Sequence, residues 1–152
     1  MDNDIYQEHI LDHYKHPRRK YSQSKPTYTK TENNPLCGDE IKIDLTIKSN
    51  KIHDISFDGH GCAISQAAAS ILTEFLQQKE MSKIKKITEQ DMINMLHIPI
   101  SHTRTKCALL ALKTAKSINL SNSTIIHSIN KNIKKNMVKT KPHSKKEKVN
   151  RT

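Results

Sequence analysis

The chemistry of this chain centres on a cysteine that follows two closely spaced glycines. Cys62 comes directly after Gly59-His60-Gly61, between a stretch typical of a β-strand and an amphipathic stretch typical of a helix. Because glycine adopts backbone angles closed to other residues, the pair favours a tight strand-to-helix turn. Cys62 is therefore expected at a helix N-terminus, where free N–H groups and the helix dipole stabilise a thiolate. A thiolate is either a metal ligand or a nucleophile.

Two further cysteines and an aspartate are expected to converge on this thiol. Cys37 comes just before a predicted β-hairpin and Cys62 just after it, so the hairpin brings the two together although 25 positions separate them. Asp39 lies two residues after Cys37 and, in an extended backbone, points to the same side. Cys107 stands near the start of a predicted helix, where the dipole again favours a thiolate. Three thiolates and one carboxylate could hold zinc or an iron–sulfur cluster.

Spacing alone leaves a second interpretation open. The three cysteines form no Cys-x-x-Cys pair, and scattered cysteines are more often core residues than ligands. The flanking glycines, the adjacent aspartate and the two helix starts favour a site, because structural cysteines need none of these.

The elements that must position these residues follow from hydrophobic periodicity. Helices are expected over residues 5–14, 63–78, about 88–96 (opened by a Thr88–Asp91 capping box) and about 107–118. Strands are expected over residues 28–31, 41–48 and 52–57, the last two forming a hairpin with a Ser49-Asn50 turn. The polar residues of the hairpin, among them Asp44 and Ser56, are expected on a solvent-facing side. Residues 81–86 read as a basic linker.

These elements predict an α+β fold, with a small antiparallel sheet of about three strands packed against four to five helices. The formal charge of +11 is uneven: residues 121–152 hold nine Lys and Arg against one Glu, so +8 of it lies there and +3 remains for residues 1–120. We therefore expect one domain over residues 1–120 and a basic tail over 121–152, partly helical or disordered.

Composition also bounds the partners and the compartment. The chain has no apolar run of the roughly 18 residues that span a membrane, and its acidic N-terminus is not that of a secretory signal. A cytoplasmic protein with reduced thiols and no membrane partner is therefore expected. The tail has no aromatic side chains to stack on bases, so specific nucleic-acid binding is not expected.

Three motifs of the chain resemble those of a known family, the IscU/SufU (NifU N-terminal) iron–sulfur cluster assembly proteins. They are Asn34-Pro35-Leu36-Cys37-Gly38-Asp39, Phe57-Asp58-Gly59-His60-Gly61-Cys62-Ala63-Ile64-Ser65 and Arg104-Thr105-Lys106-Cys107. The opening helix, with Ile10-Leu11-Asp12-His13-Tyr14 and Pro17-Arg18, is also similar. The resemblance covers about residues 4–118.

The resemblance implies a scaffold that accepts persulfide sulfur from a SufS/IscS-like cysteine desulfurase, binds iron and a transient [2Fe–2S] cluster, and passes it to recipient apo-proteins. It implies Cys37, Asp39, Cys62 and Cys107 as ligands of the metal or cluster, and Cys37 or Cys107 as the persulfide acceptor. The protein would then be a scaffold or a persulfide transferase, not a conventional enzyme.

Two branches of that family remain open. Cys62-Ala63-Ile64-Ser65 and Lys106 are similar to SufU, a zinc-dependent sulfurtransferase type that relays sulfur without holding a cluster. The 45-residue step from Cys62 to Cys107 is too short for the SufU insertion and is similar to IscU. A third, remote alternative is a basic binding module in which the cysteines are structural.

Overall fold

The computed structural model describes residues 2–118. In chain order it contains α1 (Asp2–Lys15), β1 (Tyr28–Asn34), β2 (Asp39–Lys48), β3 (Lys51–His60), α2 (Ala63–Leu76), α3 (Ser82–Lys86), α4 (Glu89–Leu96), a 3₁₀ turn (His102–Arg104) and α5 (Thr105–Ser117). The expected α+β class, with three strands and five α-helices, is confirmed. The predicted basic tail, residues 121–152, lies outside the described residues. Within residues 2–118, no helix is both long and apolar enough to cross a bilayer.

The three strands form one antiparallel sheet in the order β1-β2-β3. Asn34 pairs with Asp39, and Glu40 pairs with His60. The β1–β2 turn and the end of β3 therefore lie at the same end of the sheet. At the opposite end, Ser49 and Asn50 both have positive φ, the conformation that a two-residue hairpin turn requires. The predicted hairpin is thus confirmed, and its register brings residues 37–39 next to residues 60–62.

One face of the sheet forms the core with α2 and α5. Alternating strand residues on that face are fully buried: Ile41, Ile43, Leu45, Ile55 and Phe57. The apolar stripe of α2 and the inner face of α5 pack against them and against each other. The period of each helix and the alternation of each strand gather apolar residues on one side of the element, so these sides can be buried against each other.

The other face of the sheet is not open to solvent as expected. Asp44 and Ser56 are buried, because the connector between α1 and β1 crosses this face. The backbone N–H of Gln23 donates to Asp44 Oδ2 (3.1 Å), and Thr29 Oγ1 donates to Asp44 Oδ1 (2.5 Å). Gln23 Nε2 donates to Ser56 Oγ (3.2 Å). Buried polar groups need such partners, so the polar side of the hairpin is matched by a polar connector.

The expected helices are present with ends shifted by one to three residues, and one helix was not expected. The capping box of α4 is present, since the Thr88 side chain accepts from the Asp91 backbone and the Asp91 side chain accepts from the Thr88 backbone. Residues 81–86, expected to be a linker, include the single-turn helix α3. Only Ile84 of that helix is buried, and one apolar residue gives no periodicity from which to predict a helix.

Candidate metal centre

Four separate elements deliver the four predicted site residues to one end of the sheet. Cys37 lies in the turn between β1 and β2, and Asp39 is the first residue of β2. Cys62 follows β3 and is the N-cap of α2, as the glycine-flanked motif predicts. Cys107 lies in the first turn of α5.

Three of these side chains form a compact donor cluster. The thiols of Cys37 and Cys107 and a carboxylate oxygen of Asp39 all lie within 4.8 Å of one another. Among residues 2–118 this is the one group of three or more His, Cys, Asp or Glu side chains with that geometry. The Sγ atoms of Cys37 and Cys107 are 3.5 Å apart. Cys37 is exposed, whereas Asp39 and Cys107 are buried, so the cluster opens to solvent on the Cys37 side.

Cys62 joins this cluster through its backbone. Its thiol is not one of the three donor atoms that lie within 4.8 Å of each other. Its N–H donates to Asp39 Oδ1 (3.1 Å), and its carbonyl accepts from Ser65 Oγ (3.0 Å). The partly exposed Cys62 thiol therefore stands at the N-terminus of α2 beside the cluster, on a backbone that Asp39 and Ser65 hold.

Asp39 combines burial with an unfilled acceptor. Burial raises the pKa of this carboxyl group, while the neighbouring Cys37 thiol, the Cys62 N–H and the Cys107 thiol lower it, and the net direction is downward. Its Oδ2 atom is buried and has no hydrogen-bond partner among the described residues. A buried acceptor without a partner costs free energy unless something binds it. Two thiols and a free carboxylate oxygen fit a thiophilic cation such as zinc or iron.

The protonation of Cys107 differs from the expectation. Burial raises the pKa of the Cys107 thiol, and the hydrogen bond with Cys37 and the neighbouring Cys62 and Asp39 side chains act in the same direction. The start of α5 was expected to favour the thiolate, but that prediction is wrong, because burial and the neighbouring side chains favour the neutral thiol. Metal binding at Cys107 therefore releases a proton.

Asn34 organises the β1–β2 turn and was not predicted as a site residue. Its carbonyl accepts from the N–H groups of Cys37 (3.2 Å) and Gly38 (2.9 Å), and its Oδ1 accepts from Leu36 N–H (3.2 Å). Its Nδ2 atom lies 4.0 Å from Cys107 Sγ. An Asn-Pro pair at the end of a strand is a turn signal, but only the fold reveals the approach to Cys107.

Two glycines are required by close approaches. At Gly59, φ is +125° and a Cβ atom would lie 2.1 Å from the carbonyl oxygen of Glu40. At Gly61, a Cβ atom would lie 2.5 Å from Ser65 Oγ and 2.8 Å from Asp39 Cγ. The expected tight turn is therefore present, and the glycines make room for the neighbouring strand and for the Asp39 carboxylate.

Exposed basic and apolar residues neighbour the cluster residues in the sequence. His60, Arg104 and Lys106, which are close in sequence to Cys62 and Cys107, are exposed, and Leu36 beside Cys37 is 76% exposed. A groove of about 500 Å³ runs between residues 33–36 and one side of α5, including Leu109. Its lining includes three lysines and one acidic residue, namely Lys106, Lys113, Lys116 and Glu89.

A protein-family model matches most of the chain. A model described as "NifU-like N terminal domain" matches residues 5–124. That span includes all three cysteines, Asp39 and the turns that hold them.

Individual relatives agree with the family model. The chain is 36% identical over 77 residues to the zinc-dependent sulfurtransferase SufU of Bacillus subtilis, which is 51% of this chain and about half (52%) of that protein. It is 30% identical over 115 residues to iron sulfur cluster assembly protein 1 of Trachipleistophora hominis, covering 74% of this chain and 82% of that protein.

A solved structure shares both fold and sequence with this chain. It is a crystal structure described as a cluster assembly scaffold protein for the SUF system of Fervidobacterium islandicum. The TM-score is 0.67 and the identity is 28%, over 78% of this chain and 98% of the other.

Proposed function

We propose that this chain, which belongs to the NifU-like N-terminal domain family of iron–sulfur cluster assembly proteins, receives sulfur at Cys37 and assembles a cluster on Cys37, Asp39, Cys62 and Cys107. Iron and sulfide are the cargo in this proposal, and recipient apo-proteins take the finished cluster. The sulfur donor is a cysteine desulfurase, the partner with which proteins of this family generally work.

One observation carries the proposal: the thiols of Cys37 and Cys107 and the carboxylate of Asp39 lie within 4.8 Å of one another at an exposed edge. A site that only stabilises the fold has no need of an exposed ligand. A scaffold does, because iron and sulfur must enter and a cluster must leave. The unpartnered Oδ2 of Asp39 supplies a hard oxygen donor among soft sulfur donors, and such a donor holds a thiophilic metal weakly.

Exposure favours Cys37 over Cys107 as the sulfur acceptor. The donor persulfide sits on another protein, so the attacking thiol must be reachable from solvent, and Cys37 is exposed while Cys107 is buried. The Cys37 thiolate attacks the outer sulfur of the donor persulfide. A bond forms between Cys37 Sγ and that sulfur, the donor's S–S bond breaks, and the donor cysteine leaves as a thiolate.

The surroundings of Cys37 suit a protein partner. Leu36 offers an exposed apolar contact next to the thiol, and the adjoining groove has an excess of lysines. An acidic segment around the donor cysteine would complement these lysines and would be steered toward the site at low salt.

A second candidate function has its own support. The Bacillus subtilis relative is named a zinc-dependent sulfurtransferase, and the two thiols and Asp39 also suit zinc. In this alternative the same four residues would hold zinc, which keeps bound thiols deprotonated at neutral pH. The chain would then relay sulfur from the desulfurase without building a cluster.

Metal analysis and a visible spectrum separate the two functions. The full chain is purified anaerobically and then incubated with ferrous iron, cysteine and a cysteine desulfurase. A scaffold acquires iron, sulfide and the charge-transfer colour of a [2Fe–2S] cluster, and the Cys62→Ser variant acquires less or none. A zinc-dependent relay retains stoichiometric zinc, stays colourless and accelerates desulfurase turnover. Wild-type protein that binds neither metal and accepts no sulfur would refute both functions.

A further inference from the structure

We propose that Cys107 acts as a resolving thiol, which attacks a persulfide on Cys37, releases sulfide and leaves a Cys37–Cys107 disulfide. The inference rests on the proposed function only for the delivery of sulfur to Cys37. It adds an activity, the reduction of the delivered sulfur within this chain, to the roles of acceptor and ligand.

The distance between the two sulfur atoms is the first support. Cys37 Sγ and Cys107 Sγ are 3.5 Å apart although 70 positions separate them in the chain. Reacting atoms in productive arrangements lie about 3–3.5 Å apart, so the attack needs little movement. Asn34 helps to set this distance, because its carbonyl holds the Cys37 backbone and its Nδ2 lies 4.0 Å from Cys107 Sγ.

The opposite burial of the two thiols determines which sulfur is attacked. Cys37 is exposed and Cys107 is 6% exposed. The outer sulfur that arrives on Cys37 comes from the solvent side, whereas Cys107 approaches from the protein interior. The inner sulfur, Cys37 Sγ, therefore lies nearer to Cys107 Sγ, and the outer sulfur is on the side from which a leaving group departs.

The step balances without an external reductant. Cys107 Sγ bonds to Cys37 Sγ, and the bond from Cys37 Sγ to the outer sulfur breaks with its electron pair, so hydrosulfide leaves. The two cysteine sulfurs are oxidised to a disulfide, and the zero-valent outer sulfur is reduced to sulfide. The proton that Cys107 gives up ends on the released hydrosulfide, so the step needs no further acid or base.

The product is useful because clusters contain sulfide, not persulfide sulfur. Each event uses up the thiol pair, so a dithiol reductant must reopen the disulfide before the next one. A metal ion on the same thiols competes with the disulfide, since both need the sulfur atoms of Cys37 and Cys107.

Mass spectrometry of the metal-free full chain tests the inference. Reduced, chelator-treated protein is loaded anaerobically in two parallel ways, with inorganic polysulfide or with a cysteine desulfurase and cysteine. Intact mass after alkylation, colorimetric sulfide and non-reducing peptide mapping are then followed with time. We expect a transient gain of one sulfur atom, then release of about one sulfide per chain and a cross-linked peptide that contains Cys37 and Cys107. Mapping the wild type makes this result independent of how any variant folds.

The Cys107→Ser variant should keep the extra sulfur on Cys37 and release sulfide only when an external dithiol is added. Lasting persulfide in the wild type, or release of sulfide without a Cys37–Cys107 peptide, would overturn the inference, as would a cross-link from Cys37 to Cys62. If polysulfide-loaded protein resolves as expected while the desulfurase transfers nothing, the proposed sulfur donor is wrong and the resolving role of Cys107 is supported.

Discussion

The backbone N–H of Cys62 donates to Oδ1 of Asp39 across 3.1 Å, and this bond joins the N-terminus of α2 to the first residue of β2. The other oxygen of the same carboxylate, Oδ2, is buried without a partner in the described part of the chain. One side chain therefore has two separable roles: Oδ1 fixes the turn that carries Cys62, and Oδ2 is available to a metal.

Substitutions at Asp39 separate these roles. Asn keeps an oxygen that can accept from Cys62 N–H but removes the charge, so we expect Asp39→Asn to bind zinc at least about tenfold more weakly, about 1.4 kcal/mol. Asp39→Ala also loses the hydrogen bond, so its free energy of unfolding should be about 1–3 kcal/mol lower than that of Asp39→Asn. Competition with a chromophoric chelator measures zinc affinity, and urea unfolding measures stability.

A carboxylate on the same hairpin provides the control for Asp39. Asp58 is exposed and accepts from the N–H of Gly59 beside it. Asp58→Asn should bind zinc as the wild type does. Equal zinc affinity in Asp39→Asn and the wild type would show that the carboxylate is not a ligand.

A methyl group added at Gly61 should weaken zinc binding, whereas a methyl group added at Gly38 should not. A Cβ atom at Gly61 would lie 2.8 Å from Asp39 Cγ, so Gly61→Ala should displace the carboxylate and weaken zinc binding by about tenfold or more. A Cβ atom at Gly38 meets no atom within 4 Å, but φ there is +72°. Gly38→Ala should therefore lower stability by about 1–2 kcal/mol with zinc affinity unchanged. Unchanged zinc affinity in folded Gly61→Ala would contradict the close approach.

What the sequence predicts well here is encoded in neighbouring residues. The alternation of β2 and β3, the Thr88–Asp91 capping box and the glycine turn before Cys62 each occupy a short window, and each is present. Sheet register then follows, since an antiparallel hairpin must place its two outer ends together.

What the sequence does not predict depends on contacts between distant segments. Asp44 reads as a solvent-facing residue in its strand, and only the connector carrying Gln23, 21 positions away, buries it. The sequence predicts a thiolate for Cys107 at a helix start, and only the packing of α5 against β1 and β2 makes it a buried thiol with a raised pKa. Local patterns carry no information about such desolvation.

The buried carboxylate of Asp44 should contribute strongly to stability. It accepts from Gln23 N–H and Thr29 Oγ1 and pairs with Lys42 Nζ at 3.0 Å. Asp44→Ala leaves these groups without their acceptor, so the free energy of unfolding should fall by about 2–3 kcal/mol or more. Urea unfolding measures this loss. Asp58→Asn, on the exposed part of the hairpin, should change stability by less than about 0.5 kcal/mol. If Asp44→Ala also lost less than about 0.5 kcal/mol, the connector between α1 and β1 would not depend on this carboxylate.

His13 should make stability depend on pH. It is buried, and its Nδ1 lies 2.8 Å from Ser70 Oγ. Burial lowers the pKa of His13 below its usual 6.5; Arg18 and His9 act in the same direction, while Glu74 opposes them. Above about pH 6.5 neither folded nor unfolded chain is protonated at this residue. Below it the unfolded chain takes up the proton first, so the free energy of unfolding should fall as pH falls toward the lowered pKa.

Urea unfolding of wild type and His13→Gln between about pH 8 and pH 5.5 checks this dependence. The difference in stability between the two proteins should shrink as pH falls, because the variant has no imidazole to protonate at this position. Carboxylates titrate mainly below this window and are the same in both proteins, so they do not alter the difference in stability between them. His53 is exposed, so His53→Gln should follow the wild-type profile throughout. A constant difference between wild type and His13→Gln across the window would mean that His13 titrates alike in the folded and unfolded chain.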